Sequence, residues 1–452
     1  MDKSAGARKL VVGLGVTGLS CARYLASRGE PFMMTDSRAE PPGLETFLAD
    51  YPSIELELGG FREHSFLASS EIIVSPGVSL KTPQIVAAKQ AGIPVTGDID
   101  IFAKNVKAPI VAVTGSNGKS TVVEILAAIL DQAGKNYGLG GNLDSENSKP
   151  ALDLLLDEPR DLYVLEVSSF QLETTDSLGA EVATLLNLSA DHMDRYENMT
   201  EYLKAKRRIF NGCHKVVINR DEPSSFPEHG LKVPCIDFGF GRPGANSLGL
   251  LQEGDDQYLA FQFEKIVSVS ELKVFGRHNV ANMLAAIGLA LSIDVDLNPI
   301  RSAIRQFPGL PHRCQWVGCV DGVDFYNDSK GTNVGATVAA IEGLGQHIKG
   351  HILLIAGGVG KGADFKTLVP VINRWGKQVI LIGQDAMELA SNLDPETQTY
   401  FADGMQDAVR VALENAVPGD AVLLSPACAS FDMFDNYRHR GQCFVQSVEQ
   451  LQ

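Results

Sequence analysis

The stretch Ile-Val-Ala-Val-Thr-Gly-Ser-Asn-Gly-Lys-Ser-Thr at residues 110–121 decides the fold of the central part of this chain. A short apolar strand leads into a glycine-rich turn, and Lys-Ser-Thr then opens a helical pattern. A turn of this kind, with a helix N-terminus behind it, presents backbone N–H groups to an anion. The layout predicts a phosphate-binding loop in which Lys119 reaches the outer phosphates and Ser120 or Thr121 offers a hydroxyl to Mg²⁺.

This loop departs from the general P-loop pattern at one position. The pattern places a glycine five residues before Gly118, and Val113 stands there instead. The departure indicates a subfamily of phosphate loops. The alternative is an ordinary glycine turn before a helix, but a Gly-Lys-Ser-Thr run between a buried strand and a long helix disfavours it.

Length, charge and cysteine content limit the classes of protein that suit this sequence. At 452 residues, the usual domain size of ~150 residues predicts about three domains. The formal net charge of −16 argues against a nucleic-acid partner, which needs a concentrated basic surface. No apolar run approaches a membrane span, and the opening Met-Asp-Lys-Ser-Ala-Gly lacks a signal-peptide core. Seven scattered cysteines without a C-x-x-C pair predict reduced thiols in a cytoplasmic protein that has no membrane partner.

A rhythm of strand followed by helix runs along the whole chain and predicts an α/β fold with mostly parallel sheets. We expect three domains: a Rossmann-like domain over 1–105, a central P-loop ATPase-like domain over 106–306 and a Rossmann-like domain over 307–452. The predicted strands lie at 9–14, around 33–36, and at 71–74, 162–165, 182–188, 323–327, 351–356, 378–382 and 421–424. The polar segment 221–275 is expected to hold antiparallel strands, and the Pro/Gly-rich residues 307–311 to form a linker.

A second glycine-rich turn stands near the start of the chain, where Gly13-Leu-Gly-Val-Thr-Gly18 follows a strand and precedes a helix predicted over 18–28. Asp36 ends the next strand, 18 residues after Gly18. This G-x-G-x-x-G pattern favours a diphosphate held close to a helix N-terminus. It does not specify nicotinamide, since a UDP-linked substrate satisfies it equally well. A nicotinamide-dependent oxidoreductase stays open as an alternative, although it leaves Gly118-Lys119-Ser120 unexplained.

Polar residues follow two further strands at the same predicted sheet edge. Glu166 comes directly after the apolar run 162–165, and His192 follows the strand at 182–188. Ligands of open parallel sheets lie beyond the carboxyl ends of the strands, so these side chains are expected beside the phosphate loop. A carboxylate there is the usual Mg²⁺ partner, and His192 is a candidate second ligand. The alternative for Glu166 is an ordinary solvated strand end.

Lys206 lies on the apolar face of a helix predicted over 200–210, with Thr200 as its N-cap. It stands four residues after Tyr202 and four before Phe210, within a stripe of apolar side chains. A buried lysine costs desolvation unless it is paired or neutralised. The alternatives are a lysine that snorkels to water, a phosphate contact, or an amine of lowered pKa that takes up CO₂ and becomes an anionic metal ligand.

Together, these motifs resemble those of the Mur ligases over nearly the whole chain, and most closely those of the member that adds D-glutamate. Further motifs of the resemblance lie at 75–77, 140–142, 165–173, 191–196, 278–282, 310–313, 327–330, 357–361 and 424–430. The resemblance implies a UDP-substrate domain, a central ATP domain and a C-terminal amino-acid domain. Two positions depart from the family pattern: Asp144 stands in place of a small residue, and Tyr437 in place of Phe.

The resemblance also implies a role for each matching residue. Lys119, Glu166, His192 and Lys206 are expected to be catalytic. The UDP-linked substrate is expected at Val16, Thr17, Asp36, Ser37, Arg38, Gly77 and Asn142. ATP is expected at Gly115, Ser116, Asn117, Gly118, Lys119, Ser120, Thr121, Asn279, Asn282, Arg313 and Asp328. One Mg²⁺ is expected on Ser120 and Glu166, and a second on His192 and carbamylated Lys206. D-glutamate is expected at Lys330, Thr332, Lys361, Ser430 and Tyr437.

The reaction that the resemblance implies is the ATP-dependent joining of D-glutamate to UDP-N-acetylmuramoyl-L-alanine in peptidoglycan precursor synthesis. Phosphorylation of the substrate carboxylate gives an acyl phosphate, and the amine of D-glutamate then displaces phosphate. The protein is expected to act as a monomer that positions three substrates and neutralises their charge. We expect it to close around them through the linker at 307–313. A Mur-type ligase that adds another amino acid is the alternative within the family.

Overall fold

The computed structural model describes residues 8–143, 148–176, 178–228, 230, 232–274 and 276–451. Asp144 and the opening Met-Asp-Lys-Ser-Ala-Gly lie outside the described residues. Within them, three sheets follow one another along the chain, with five, nine and six strands. Apolar clusters are buried against these sheets, five of them large enough to form a core. The expected α/β architecture with mostly parallel sheets is confirmed.

The first sheet is parallel throughout and has the strand order β3-β2-β1-β4-β5. Its strands are β1 (Lys9–Val12), β2 (Phe32–Asp36), β3 (Leu56–Leu58), β4 (Glu71–Val74) and β5 (Val95–Thr96). The helices of this part are α1 (Val16–Ser27), α2 (Leu44–Asp50), α3 (Glu63–Leu67), α4 (Pro83–Gln90) and α5 (Asp98–Asn105). Strand β1 ends at Val12 rather than at the predicted residue 14, because Gly13 turns the chain with a φ of 99°.

The central sheet has the order β14-β13-β12-β11-β10-β9-β6-β8-β7. Its strands are β6 (Ile110–Thr114), β7 (Tyr137–Gly141), β8 (Leu162–Glu166), β9 (Val182–Leu185), β10 (Lys215–Asn219), β11 (Cys235–Phe238), β12 (Ser247–Glu253), β13 (Asp256–Phe261) and β14 (Glu264–Ser268). Its helices are α6 (Lys119–Gln132), α7 (Ala151–Leu154), α8 (Ser169–Leu172), α9 (Met199–Arg207), α10 (Arg277–Ser292) and α11 (Leu297–Gln306). Strand β6 lies between β8 and β9, so the loops that follow these three strands meet at one edge.

The polar segment 221–275 is part of this central sheet. Strands β12, β13 and β14 form the expected antiparallel meander. Strand β11 differs, because it pairs in parallel with β10 on one side and with β12 on the other. The prediction of antiparallel strands is therefore right for the meander and wrong for β11. The polar sequence pattern carries no information about which neighbour a strand will pair with.

The third sheet has the order β15-β16-β20-β17-β18-β19, with only the β15–β16 pair antiparallel among the described residues. Its strands are β15 (Gln315–Val320), β16 (Val323–Asn327), β17 (Ile352–Gly357), β18 (Gly376–Ile382), β19 (Thr399–Phe401) and β20 (Ala421–Leu424). Its helices are α12 (Val334–Gly345), α13 (Val369–Trp375), α14 (Ala386–Asn392), α15 (Met405–Asn415) and α16 (Tyr437–Glu449). The strands predicted at 323–327 and 421–424 are observed with these bounds.

Helix α9 begins earlier than the sequence predicts. Asn198 is its N-cap, since the Asn198 side chain accepts a hydrogen bond from the backbone N–H of Glu201 at 3.0 Å. The prediction of Thr200 as the cap is wrong, because Thr200 already lies in the first turn. The α-helix ends at Arg207, and a 3₁₀ turn continues to Phe210. Lys206 therefore lies in the last turn of α9, on the side that faces the central sheet.

Polar contacts join the three parts of the molecule. Arg23 of α1 pairs with Asp153 of α7, and Lys81 pairs with Glu197 at 2.6 Å. From the C-terminal part, the Asn333 side-chain amide donates to the side-chain oxygen of Asn117 at 3.0 Å. The N-terminal and C-terminal parts therefore both contact the edge of the central sheet that carries the phosphate loop.

All seven cysteines are free thiols. Three of them are buried, three are partly covered, and Cys319 of β15 is exposed. The prediction of reduced thiols agrees with this arrangement. Across the part of the chain that the structure describes, no helix combines the length and the apolar composition that a bilayer crossing needs.

Candidate active site

The phosphate loop leads from β6 into α6 with an open helix N-terminus. Gly118 adopts a φ of 82°, and a Cβ at this position would collide with Oδ1 of Asn282. Only glycine satisfies both conditions, so the loop sequence is fixed by the backbone and by the packing of α10. Among the described residues, no side chain caps α6. Its first backbone N–H groups therefore stay available for an anion.

Two lysines meet at one carbonyl of this loop. The ammonium nitrogens of Lys119 and Lys206 each donate to the Gly115 carbonyl oxygen, both at 2.8 Å. Lys119 also donates to the Ser116 carbonyl at 3.0 Å. Lys206 is only 2% exposed, which rules out the snorkelling alternative. The helix face that carries Lys206 thus brings a second nitrogen to the phosphate loop from 91 residues away.

Burial lowers the pKa of Lys206 well below its usual range, and the positive charge of Lys119 lowers it further. The Tyr202 ring covers the amine, with the nitrogen 4.7 Å from the ring centroid. Burial also lowers the pKa of Lys119, although Glu166 and Asp191 oppose this shift. Lowering the pKa of a lysine increases the share of its neutral, nucleophilic amine, which is the form that reacts with CO₂.

Glu166 ends β8 beside the loop and is 2% exposed. Its Oε1 accepts a hydrogen bond from the Asn142 side chain at 3.2 Å. Its Oε2 is buried and has no hydrogen-bond partner among the described residues. A buried carboxylate oxygen without a partner is costly unless a cation lies beside it. The orphaned oxygen therefore suits the magnesium ion that the sequence analysis expects here.

His192 and Asp191 lie in the irregular segment after β9, which ends at Leu185 rather than at the predicted residue 188. His192 adopts a φ of 57°, and its Nε2 lies 3.6 Å from a carboxylate oxygen of Asp191. Burial lowers the pKa of His192, although Asp191 opposes this effect. Burial raises the pKa of Asp191, but His192 and Lys361 lower it more strongly, so its net pKa lies below the usual value. The site therefore holds a neutral imidazole next to an ionised carboxylate.

Among the described residues, no three His, Cys, Asp or Glu side chains cluster as ligands of one metal ion. Each predicted metal site has only two protein ligands: Ser120 and Glu166 in one, and His192 and Lys206 in the other. A site with one or two protein ligands suits Mg²⁺ that is held mainly by water and phosphate oxygens.

A cleft of about 780 Å³ lies between the phosphate loop, α10 and the start of the C-terminal part. Its lining includes seven of the eleven residues predicted for ATP: Asn117, Gly118, Thr121, Asn279, Asn282, Arg313 and Asp328. The remaining four, Gly115, Ser116, Lys119 and Ser120, belong to the same loop. Lys330, which the sequence analysis assigns to D-glutamate, also lines this cleft.

Several residues of this cleft were not predicted from the sequence: Leu186, Asn187, Asn219, Phe238 and His278. Burial lowers the pKa of His278 to about 4, so its ring is neutral at pH 7. Burial raises the pKa of Asp328 to about 6, while its hydrogen bond from Ser425 opposes the shift. His278 stands in a recognisable sequence motif, whereas Phe238 lies in a strand whose sequence gives no sign of a site.

The N-terminal glycine turn is held by Asp36. One carboxylate oxygen of Asp36 accepts the backbone N–H of Leu14 at 2.7 Å, and both oxygens bind the Arg38 guanidinium. A Cβ at Gly18 would collide with the Gly13 carbonyl, so α1 packs directly on the turn. Val16 is 72% exposed at the open side of this turn. Asp36 thus shapes the turn with oxygens that are already engaged by protein donors.

The other residues predicted for the UDP-linked substrate lie around the same side of the molecule. Thr17 starts α1 beside Val16, and Ser37 follows Asp36 in an exposed turn. Gly77 lines a separate cleft of about 1,090 Å³ between the N-terminal and central parts, which His192 also lines. Asn142 reaches Glu166 instead. Gly77 and His192 therefore share one cleft, whereas no residue of the Gly13–Gly18 turn lines it.

Four of the five residues predicted for the amino acid lie on two loops of the C-terminal part and at the start of α16. The Lys330 ammonium lies 3.7 Å from the centroid of the Tyr437 ring. Thr332 follows in the same loop, and Ser430 is buried in the loop after β20. Lys361 lies apart from them: its ammonium pairs with Asp191 at 3.0 Å, across the boundary to the central part.

Asp191 and Asn333 were missed as site residues. Asp191 accepts from Lys361, and the Asn333 side chain donates to Asp191 at 3.3 Å and to Asn117 at 3.0 Å. Asp191 stands next to the predicted His192, so its motif contained the signal. Asn333 carried only an N-cap signal for α12, which it does satisfy by accepting from the Ala336 N–H.

Profiles of three known domains match this chain. The Mur ligase MurD-like N-terminal domain matches residues 7–97, the Mur ligase middle domain 113–290, and the Mur ligase glutamate ligase domain 312–428. These spans together cover most of the sequence, and each one coincides with one of the three sheets.

Curated relatives and solved structures agree with these profiles. A UDP-N-acetylmuramoylalanine–D-glutamate ligase of Pseudomonas aeruginosa is 49% identical over 98% of each chain, and one of Coxiella burnetii is 47% identical over 98% of each. The fold resembles that of the UDP-N-acetylmuramate-alanine ligase MurC of Thermotoga maritima, with a TM-score of 0.62 and 19% identity, covering 99% of this chain and 100% of that one. It also resembles MurF ligase of Thermotoga maritima in complex with ADP, with a TM-score of 0.63 and 15% identity over 98% of each chain. The chain belongs to the Mur ligase family.

Proposed function

We propose that this enzyme joins D-glutamate to UDP-N-acetylmuramoyl-L-alanine, with ATP converted to ADP and phosphate. The relatives of 47–49% identity over 98% of the chain, all named as ligases of this specificity, carry the choice of substrates. The convergence of Lys119, Lys206, Glu166 and His192 on one edge of the central sheet supports the chemistry.

Each substrate has its own surface at this edge. The turn at Gly13–Gly18 and the cleft at Gly77 suit the UDP-linked substrate. The phosphate loop and its adjoining cleft suit ATP, and the loops that carry Lys330 and Ser430 suit D-glutamate. The domain boundaries after residues 105 and 306, and the individual residue roles, remain predictions that these positions support.

The first step activates the carboxylate of the alanyl group. One of its oxygens attacks the γ-phosphorus of ATP, the bond to the β,γ-bridging oxygen breaks, and ADP leaves. The helix N-terminus of α6 and the Lys119 ammonium would neutralise the phosphate charge, provided that Lys119 turns from the loop carbonyls towards the nucleotide. The Glu166 and Ser120 oxygens would hold one Mg²⁺ and the His192 and carbamylated Lys206 side chains a second. Bound Mg²⁺ supplies charge neutralisation at the phosphates.

The second step forms the amide bond. The neutral amine of D-glutamate attacks the acyl carbon and the nitrogen loses a proton to solvent. The tetrahedral intermediate then collapses, and phosphate leaves with the electron pair of the broken C–O bond. Lys330 and Lys361 are the lysines of the proposed amino-acid site, and they would bind the carboxylates of D-glutamate. A closed contact between the C-terminal and central parts would keep water from the acyl phosphate.

Phosphate release is the test of this function. The purified enzyme is incubated with ATP, Mg²⁺ and UDP-N-acetylmuramoyl-L-alanine, and each of D-glutamate, L-glutamate, L-lysine and meso-diaminopimelate is added in turn. We expect phosphate release with D-glutamate alone. Equal or faster release with another of these amino acids would overturn the assigned specificity.

A nicotinamide titration tests the remaining alternative. NADH fluorescence is followed with increasing enzyme, and we expect no saturable binding at micromolar concentration. Saturable binding without ATP hydrolysis would restore the oxidoreductase hypothesis. A cytoplasmic location and a monomeric state stay predictions from the sequence, and sedimentation of the purified enzyme tests the second.

A further inference from the structure

Arg440 is 0% exposed and ranks among the largest fully buried side chains of the described residues. Its Nε donates to the Ser329 hydroxyl at 3.0 Å, its Nη2 to the Ser329 carbonyl at 2.8 Å, and its Nη1 to the Cys428 carbonyl at 3.1 Å. Among the described residues, none of these acceptors is a carboxylate. Burying a guanidinium without an acid partner is costly, so a protein keeps such a group where it has a task.

The acceptors of Arg440 belong to the two loops that form the proposed amino-acid site. Ser329 immediately precedes Lys330 in the loop after β16, and Cys428 lies two residues before Ser430 in the loop after β20. A backbone hydrogen bond from the Ala427 N–H to the Gly331 carbonyl at 2.9 Å joins the same loops at a second point. The guanidinium therefore bridges the two loops from beneath.

Arg440 also lies one turn after Tyr437 on the same helix, α16. The Ser329 hydroxyl, which accepts from Arg440, itself donates to the Tyr437 carbonyl at 2.8 Å. Tyr437 in turn stacks on the Lys330 ammonium. A single buried side chain is thus connected to Lys330 and Tyr437 through Ser329, and to Ser430 through Cys428 and Ala429.

The charge of Arg440 persists at physiological pH. Burial lowers its pKa to about 10, which still leaves the guanidinium protonated at pH 7. Asp328 and Asp432 act on it only at longer range. These two carboxylates offset part of its charge without bonding to it, and the guanidinium still adds positive potential behind the two loops, which favours a dicarboxylate amino acid.

We propose that Arg440 is a positioning residue for the amino-acid substrate: it fixes the spacing of the Lys330 and Ser430 loops and adds positive potential beneath them. This inference rests on the proposed function, since it concerns the site for D-glutamate. Arg440 touches no substrate directly, because its nitrogens are all turned to the loops. Displacements of about 1 Å at a binding group are enough to lower turnover by orders of magnitude.

The experiment compares Arg440→Lys, Arg440→Met and Arg410→Met in the full-length enzyme. Arg410 is the matched control, since it lies in α15 of the same part of the chain but is exposed and paired with Asp407 and Glu414. KM is measured separately for the amino acid, for ATP and for the UDP-linked substrate, together with kcat and the melting temperature. We expect Arg440→Met to raise KM for D-glutamate about tenfold or more, with the other two KM values within about twofold.

Arg440→Lys keeps the charge but loses the bridging geometry, so we expect it to restore part of the affinity for D-glutamate. Arg410→Met should leave all three KM values unchanged. If KM for D-glutamate is unchanged in a folded Arg440 variant, or if all three KM values rise together, Arg440 has a merely structural role and the proposal is overturned.

Two measures keep the test decisive. If Arg440→Met does not fold, Ser329→Ala removes one acceptor while leaving the guanidinium in place, and the same selective rise in KM for D-glutamate is expected. If the unchanged enzyme uses another amino acid instead of D-glutamate, the proposed specificity fails. KM for that amino acid in the Arg440 variants then still decides whether Arg440 positions the site.

Discussion

A lysine that is 2% exposed and lacks an acid partner within hydrogen-bond distance opposes folding, and Lys206 is such a residue. Removing the Lys206 amine does not leave the Gly115 carbonyl without a hydrogen bond, because this carbonyl still accepts from Lys119. We therefore expect Lys206→Met to lower the rate of phosphate release by about a hundredfold or more, yet to raise the melting temperature by about 2 °C. Differential scanning fluorimetry beside the release assay measures both. A variant that keeps full activity would refute the assigned role.

The pH dependence of stability gives a second readout for the same residue. The unfolded chain protonates Lys206 near its usual pKa of 10.5, whereas the folded chain holds the pKa well below that value. Between these two pKa values unfolding takes up a proton, so the free energy of unfolding rises with pH in the unchanged enzyme. We expect this slope to be smaller in Lys206→Met. Lys204→Met, on the exposed side of the same helix, should keep it.

His192 sets an acid limit on activity. Burial lowers its pKa from the usual 6.5, so the ring is neutral at pH 7 and becomes protonated only as the pH falls below that value. A protonated ring cannot hold a metal ion, and the unfolded state binds the extra proton more readily, so both activity and stability should fall with pH below 6.5. We expect His192→Gln to lose about a hundredfold in rate and to lose this acid limb.

The control for this prediction is the exposed His64 of α3. His64→Gln should retain the acid limb of the unchanged enzyme in a rate profile between pH 5 and 8. If His192→Gln and the unchanged enzyme showed the same profile, the limb would belong to another group.

Individual site residues were predictable where a motif or a helical period marked them. The stripe of apolar positions around Lys206 is visible in the sequence, and this stripe predicts that Lys206 is buried. Asn333 and Asp191 are different, because their role comes from meeting each other across 142 residues of sequence. The capping of α9 shows the same limit: Thr200 and Asn198 are both good N-cap residues, and only the observed hydrogen bond decides between them.

At the scale of elements, the turn from β6 into α6 depends on glycine at position 118. We expect Gly118→Ala to weaken binding of ADP at least about tenfold, because the added Cβ collides with Asn282 and strains a left-handed backbone. Gly134→Ala is the matched control. Its φ is 63°, but no described atom lies within 4 Å of the added Cβ.

Titration calorimetry with ADP separates the two variants, and chemical denaturation reports their stability. Both substitutions should cost about 1 kcal/mol from the positive φ, and only Gly118→Ala should lose nucleotide affinity. If the two variants bound ADP equally well, the collision with Asn282 would have no effect on nucleotide affinity, and the prediction would be wrong.

Strands with two buried faces were the elements that the sequence predicted well. The runs that became β6, β8 and β20 are short, mostly apolar and fully buried, and these features identify a parallel core strand. The short edge strands β3, β5 and β19 were not predicted, because two or three residues carry no periodicity. The direction of β11 depends on its neighbours in the sheet and could not be read locally.

For the whole molecule, the contact between the C-terminal and central parts includes two polar side-chain contacts beside the packing of α12 on α10. Lys361 pairs with Asp191 at 3.0 Å, and Asn333 bonds to Asn117 at 3.0 Å. We expect the double substitution Lys361→Met with Asn333→Ala to increase the radius of gyration in solution, since interfaces of this kind between domains are small and permit motion. Small-angle X-ray scattering measures the change, with the exposed Lys366→Met as control.

Adding an ATP analogue and the UDP-linked substrate should decrease the radius of gyration of the unchanged enzyme. The decrease should be smaller in the double variant. Scattering profiles that do not respond to either ligand would contradict closure around the linker at 307–313. The order of the three parts was predictable from the alternation of strands and helices. Their contact was not, because it joins residues more than 140 positions apart.

The exposed thiol of Cys319 in β15 allows the C-terminal part to be labelled at one position. Of the seven cysteines, six are at least partly covered, and burial slows the reaction of a thiol with a maleimide. Cys319 therefore offers a natural attachment point for one fluorophore on the C-terminal part. A dye there would report the rotation of that part during turnover by its anisotropy, without any substitution in the chain.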